Sequence, residues 1–138
     1  MIRTYLDSGV LIIAARGVGE ASERAIEVLE DGDRGFVSSL FLKIEILPKP
    51  IYHRQTDEVE FYEDFFSVVV DWVRDCEAIV EEAYQIACTY GLAAMDALHI
   101  ASALALNADH LITTEKPSKP MHRVPLLQIV SIHPNVQH

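Results

Sequence analysis

The chain is predicted to be an α/β protein whose parallel sheet is covered by helices on both faces. Three observations carry this. Short apolar runs of strand length alternate with longer stretches of helical periodicity, the pattern of parallel strands joined by crossover helices. The first run, Ile2-Arg3-Thr4-Tyr5-Leu6, is rich in β-branched and aromatic residues and reads as a buried strand. The composition, 50% hydrophobic and 23% charged over 138 residues, is that of an ordinary globular chain, long enough for one domain over residues 1–138.

Each element follows in order. Asp7-Ser8-Gly9 ends the first strand, and residues 10–15 continue as a helix. Residues 20–31 set Ala21, Ala25, Ile26, Val28 and Leu29 among charges, an amphipathic helix closed by Gly32. Residues 35–38 form a second strand. Residues 39–47 are helical, with Ser39 as N-cap and Pro48 and Pro50 as stops. Residues 57–66 form a polar-aromatic helix, and the valine run 68–70 is a third strand extending toward Trp72. Residues 76–89 are helical, with Gly91 as the stop. The stretch 91–106 is rich in Ala and Leu and apolar nearly all the way round, so it is a buried helix ending near Asn107. Residues 110–113 are a fourth strand. Residues 116–125 contain three prolines and form a loop. Residues 127–132 are the last strand, and the tail beyond is expected to fray. No internal repeat or low-complexity tract interrupts this order.

The net charge is −10, but it is concentrated. Residues 57–82 hold ten acids against Arg74 alone, leaving eleven acids and ten bases elsewhere. The acidic stretch reads as a solvated helix face, and the remainder retains the means to present a basic surface to a nucleic acid. No charged-then-apolar leader and no apolar run of membrane-spanning length is present, so neither a signal peptide nor a membrane contact is expected. Cys76 and Cys88 make no CxxC and read as buried thiols of a reducing, cytoplasmic compartment.

Four acids stand in apolar or end-of-element settings: Asp7 after the first strand, Glu45 in an apolar helix, Asp96 in the buried helix, and Glu115 after the fourth strand. No Lys or Arg lies three or four residues from Asp96, and a buried charge without a partner is costly. Ligands of open parallel sheets bind beyond the carboxyl ends of the strands, where Asp7 and Glu115 fall. Carboxylates gathered there repel one another unless a hard cation offsets them. Mg²⁺ or Mn²⁺ suits oxygen ligands, and no His or Cys pair has zinc-like spacing. An acid-only site suits phosphodiester hydrolysis, because the ion activates water and neutralises developing charge.

Each residue also has a plainer reading. Asp7 begins a turn, or Ser8 caps the next helix. Glu45 pairs with Lys49 across the Pro48 break. Asp96 is an N-cap, and Glu115 is a loop acid. The hydroxyls of Ser8 and Thr113 either fix the rotamer of a site carboxylate or cap locally. His99, one turn from Asp96, reads as a satisfied core histidine ahead of a catalytic one. Lys43, Lys49, Arg54, Lys116, Lys119 and Arg123 neighbour the acids in sequence and are candidates for RNA phosphate contacts, with ordinary surface placement as the alternative. The run Phe61, Tyr62, Phe65, Phe66 reads as core, with a partner groove or homodimer contact as the alternative.

Leu6-Asp7-Ser8, Glu45, Gly91-Leu92 with Asp96-Ala97-Leu98-His99-Ile100-Ala101-Ser102-Ala103, and Asp109-His110-Leu111-Ile112-Thr113-Thr114-Glu115 together resemble the ordered motifs of PIN domains. The Asp96 segment is the most specific piece. The resemblance implies a three-layer α/β/α sandwich with a central parallel sheet and a metal-dependent ribonuclease activity. It further implies the toxin half of a VapBC-type toxin–antitoxin pair, whose antitoxin occupies an apolar groove and inserts a basic residue among the acids. By position, Asp7, Glu45 and Asp96 match the family's three principal acids, and Glu115 falls where a fourth, usually Asp, is expected. The chain departs from the pattern in three places. Gly9 stands where Asn is frequent, Glu115 is one methylene longer than Asp, and Lys116-Pro117-Ser118-Lys119-Pro120 replaces an acid-plus-aromatic continuation. A non-catalytic PIN-like RNA- or protein-binding module is the alternative function. An Asp-x-Asp phosphatase is disfavoured by Gly9, and a receiver domain by the lack of an acidic pair after the first strand.

Overall fold

The first strand lies at the centre of the sheet. The structure is a computed structural model that describes residues 1–135, so the expected fraying of the last residues falls outside the described part. β1 (Ile2–Leu6), β2 (Arg34–Ser38), β3 (Asp71–Trp72), β4 (His110–Thr113) and β5 (Gln128–Ser131) are all parallel, in the spatial order β3-β2-β1-β4-β5. Register aligns Tyr5 with Val37 and Leu111, and Leu6 with Ile112. Because strand side chains alternate, Tyr5, Val37 and Leu111 enter one apolar layer, while Leu6, Phe36 and Ile112 enter the other.

Among the described residues, seven helices cover the two faces. α1 (Ser8–Arg16), α2 (Glu20–Glu30), α3 (Leu40–Ile46) and α5 (Thr56–Ser67) supply one layer through Leu11, Ala25, Leu42, Tyr62 and Phe65. α6 (Cys76–Tyr90) and α7 (Ala94–Ala105) supply the other through Ile79, Ile86, Ala97, Ile100 and Ala103. The expected three-layer α/β/α sandwich with a central parallel sheet is therefore observed. α6 ends on Gly91 in the left-handed conformation (φ 70°), which a residue without a Cβ adopts at no steric cost. Among the described residues no single helix is long and apolar enough to cross a membrane.

Several local expectations are corrected. Pro48 does not end helical structure; it occupies the first turn of a short helix, α4 (Pro48–Tyr52), where its missing N–H costs nothing. Val68, Val69 and Val70 precede β3 and lie outside it. The Val68 N–H still bonds back to Phe65 and Phe66 carbonyls, and Val68 and Val70 are exposed, so the β preference of the run has no sheet face to pack against. The proline loop contains a 3₁₀ turn, Pro120–Arg123, that buries Met121. Cys88 is exposed, because the buried stripe of α6 runs through Ile79, Ala83 and Ile86 and misses it; Cys76 is half-buried. The acids of residues 57–82 lie mostly on solvent-facing sides of α5 and α6. Glu58 and Asp71 are instead paired with Arg16 and Arg3.

Candidate active site

The strand order changes direction at β1, with β2 on one side and β4 on the other. Chains leaving the carboxyl ends of β1 and β4 diverge there and open a crevice. Asp7 is the residue after β1. It serves as N-cap of α1, its Oδ1 accepting the Val10 N–H at 3.4 Å. Gly9 lets the first turn of α1 settle against the loop after β4: a β-carbon there would collide with the Thr114 hydroxyl. Glu115 begins that loop. Its N–H donates to Thr113 Oγ1 (3.0 Å) and its carbonyl accepts from Ser131 Oγ (2.6 Å).

Glu45 projects from α3, whose start is capped by Ser39, and Asp96 from the first turn of α7. Asp96 is not the N-cap. That position is Ala93, which makes no side-chain bond, so the capping explanation of this carboxylate fails. Nor does Glu45 pair with Lys49. It accepts a hydrogen bond from His99 Nε2 at 2.8 Å. Among the described residues, no Lys or Arg forms an ion pair with Asp7, Glu45, Asp96 or Glu115.

Charge couples Asp96 to the other three acids. Asp7 is 7% exposed, and burial pushes its pKa up to about 6, with the Asp96 charge adding to the rise; the Thr113 hydroxyl, His99 and the Val10 N–H work against it. Asp96 is also raised, first by burial, then by the charges of Glu115 and Glu45. For Glu45, burial acts upward, but the His99 hydrogen bond and the Ser8 hydroxyl outweigh it and hold the carboxyl below its ordinary value. Thr113 thus stands beside Asp7, and Ser8 beside Glu45. The raised pair and the missing basic partner fit a hard divalent cation by donor chemistry. In position the set is loose: among the described residues, no three acidic, histidine or cysteine side chains are gathered closely enough to grip one ion.

Sequence reasoning placed His99 beside Asp96, but its hydrogen bonds go elsewhere. The ring is 2% exposed; Nε2 meets Glu45 and Nδ1 meets the Tyr5 hydroxyl at 2.7 Å. Tyr5 in turn meets Ser39 Oγ at 2.7 Å. Tyr5 was not singled out by sequence. Its signal was a hydroxyl in a buried strand, which must find a partner. Of the candidate basic contacts, Lys43 lies over the rings of Phe66 (5.4 Å) and Trp72 (4.9 Å), a cation–π arrangement on the α5 side of α3. Tyr62, Phe65 and Phe66 are core. Phe61 joins Ile26, Leu29 and Val68 along an apolar groove of about 290 Å³ between α2 and α5. A cleft of about 470 Å³ between α2 and β5 includes none of the four acids.

Residues 4–117 match the family model described as PIN domain. No curated protein matches the chain in sequence. Three solved structures are similar over nearly their whole length. One is VapBC2 from Rickettsia felis bound to a DNA fragment from its promoter, at 17% identity and TM-score 0.70, covering 94% of this chain and 98% of that one. Another is a toxin–antitoxin complex from Klebsiella pneumoniae, at 18% identity and TM-score 0.69, with coverage of 94% and 98%. A third is VapBC-1 from nontypeable Haemophilus influenzae, at 21% identity and TM-score 0.66, with coverage of 95% and 98%. At these identities the likeness is one of fold.

Proposed function

The chain belongs to the PIN-domain family, and on that premise we propose that it is a metal-dependent endoribonuclease, the toxin of a toxin–antitoxin pair. The carrying observation is the acid rim itself. Asp7, Glu45, Asp96 and Glu115 come from four separate elements, charge couples Asp96 to the other three, and no described Lys or Arg pairs with them. Asp7, Glu45 and Asp96 would hold Mg²⁺ or Mn²⁺, with Glu115 assisting or holding a second ion. When bound, the ion lowers the pKa of water and offsets charge on the scissile phosphate.

The protein's own residues set the conditions for that chemistry. Desolvation at Asp7 and Asp96 weakens their hold on charge in the free protein and strengthens their attraction to a cation. Ser8 and Thr113 restrain the Glu45 and Asp7 carboxylates, and the buried sheet end gives the rim a rigid base. The cognate partner is an antitoxin protein whose segment lies in an apolar groove and sets a basic residue among the acids. The structural neighbours from Rickettsia felis and Haemophilus influenzae are VapBC proteins and that from Klebsiella pneumoniae is a toxin–antitoxin complex, which supports an antitoxin as partner. On this reading the protein acts in the cytoplasm, as a single domain over residues 1–138.

A non-catalytic PIN-like binding module is the second reading. It is favoured by the loose placement of the acids and by Lys116-Pro117 directly after Glu115. One titration separates the two. Purified protein is mixed with RNA and increasing Mn²⁺ or Mg²⁺, with Asp96→Asn in parallel. Metal-dependent cleavage that the folded variant lacks supports the nuclease. RNA retention without cleavage at any metal concentration supports the binding module. Equal cleavage by a clean Asp96→Asn preparation removes Asp96 from the site.

A further inference from the structure

A buried chain of hydrogen bonds runs Ser39–Tyr5–His99–Glu45, each link between 2.7 and 2.8 Å. Its first three members are essentially excluded from solvent. The last is a partly exposed carboxylate at the rim, its side chain 26% exposed. The path is unusual in what it joins. Tyr5 lies on β1, two residues before Asp7. His99 lies on α7, one turn after Asp96. Ser39 and Glu45 stand at the start and near the end of α3. Ser39 also accepts the Leu42 N–H, so the chain returns to the helix that carries Glu45. The three elements that supply the three principal acids are thus tied together by one set of side chains behind the rim.

From this geometry we propose that His99 is a positioning residue for Glu45: it holds the carboxylate by Oε1 through Nε2–H, while Tyr5 fixes the ring from the other side. The proposal rests on the metal-dependent reading of the rim. An ionised carboxylate is acceptor-only, so the proton on the shared path belongs to Nε2. Nδ1 then accepts from the Tyr5 hydroxyl, and Tyr5 Oη accepts from Ser39. The polar group of each buried member is satisfied by the next, which leaves the ring no competing orientation. Leu or Ala at position 99 fills core space but leaves Glu45 with the Ser8 hydroxyl alone to restrain it. Glu45 sits on a short helix, where the His99 bond and the neighbouring Ser8 hydroxyl are what hold its carboxylate. The role differs from that of a satisfied core histidine, which would turn both nitrogens to groups without a part in the site.

Two measurements test this on the full chain. The first uses metal-free protein: long-range ¹H–¹⁵N spectra, with His99 identified by its loss in His99→Gln. A protonated Nε2 is expected, and Tyr5→Phe is expected to spread the ring between tautomers. A wild-type ring with no proton on Nε2 overturns the proposal. The second is Mn²⁺ affinity by calorimetry, read beside melting temperature. His99→Leu is expected to weaken Mn²⁺ about tenfold or more, and His99→Gln, which keeps an amide donor near the Nε2 position, to stay within about threefold of wild type. Should His99→Leu fail to fold, Tyr5→Phe, which keeps the core volume, carries the same expectation of a several-fold loss. Wild-type affinity in a folded His99→Leu, or in Tyr5→Phe where that stands in, overturns the role of His99 alone. Absence of Mn²⁺ binding by the wild-type protein overturns the metal reading of the rim and this role with it, while the spectra still report whether His99 holds Glu45.

Discussion

At the scale of single residues, Asp7 is the acid whose burial matters most for the free protein. Its pKa in the folded chain is about 6, against 3.8 for an unperturbed group. The native state therefore binds the proton more tightly than the unfolded state, and stability falls as pH rises from about 4 through 6. Above that window the ionised carboxylate is a standing cost. Asp7→Asn removes the cost and keeps an N-cap residue for α1, so metal-free Asp7→Asn is expected to be more stable than wild type by about 1–3 kcal/mol at pH 8. Below pH 5 the difference should shrink toward zero. Denaturant unfolding in chelator at several pH values checks this, and a destabilised variant at pH 8 would mean that Asp7 is held by contacts the charge does not oppose. Asp96→Asn is the matching test of chemistry. RNA cleavage is expected to fall about a hundredfold or more, the scale of losing one electrostatic contact made in the transition state.

Elements bring these residues to one place, and Gly9 is where two of them meet. In an isolated helix Ala would be favoured over Gly at that position by up to about 1 kcal/mol. Here the first turn of α1 rests on Thr114, so Gly9→Ala is expected to cost about 1–2 kcal/mol instead, through overpacking. Gly9→Ala combined with Thr114→Ala should recover most of the loss. Chemical denaturation midpoints of the two single variants and the double variant give the answer; additive losses would show that the contact is not the cause. The residue that departs from the common PIN pattern at this position thus has a steric reason in this chain. α3 and α7 are joined in a comparable way, but through polar side chains: His99 on one reaches Glu45 on the other.

For the whole molecule, the proposed metal reading of the rim implies linkage between metal binding and folding. A ligand bound at a hundred times its dissociation constant stabilises the native state by about 2.7 kcal/mol, which for a chain of this length raises Tm by roughly 5–10 °C. Mn²⁺ at saturating concentration is expected to raise the wild-type Tm by that order, and chelator to reverse it. Asp7→Asn and Asp96→Asn should each melt at nearly the same temperature with and without the ion. Scanning calorimetry at fixed ionic strength separates this from general screening of the net charge of −10, because monovalent salt at matched strength should not reproduce the shift. An equal rise in the variants would place the bound ion on the acidic surface of α5 and α6 rather than at the rim.

The layered parallel sheet was legible in the sequence, and the four acids stood out there as candidates, because both are written in local pattern. The alternation of strand-length apolar runs with helical periodicity forces crossovers, and an Asp in an all-apolar helix is visible as a charge with no neighbour to pair it. Local pattern could also mislead where two local rules compete. Pro48 satisfied the rule for a stop and the rule for a first turn, and the Val68–Val70 run had strand propensity but no sheet face to occupy. Only the tertiary structure decided which partners the buried polar groups took. Glu45 faced Lys49 by spacing and found His99 in space; His99 faced Asp96 by spacing and found Glu45 and Tyr5. Hydrogen bonds between α3, β1 and α7 depend on how three elements pack across 94 residues of chain, and no window of sequence carries that distance.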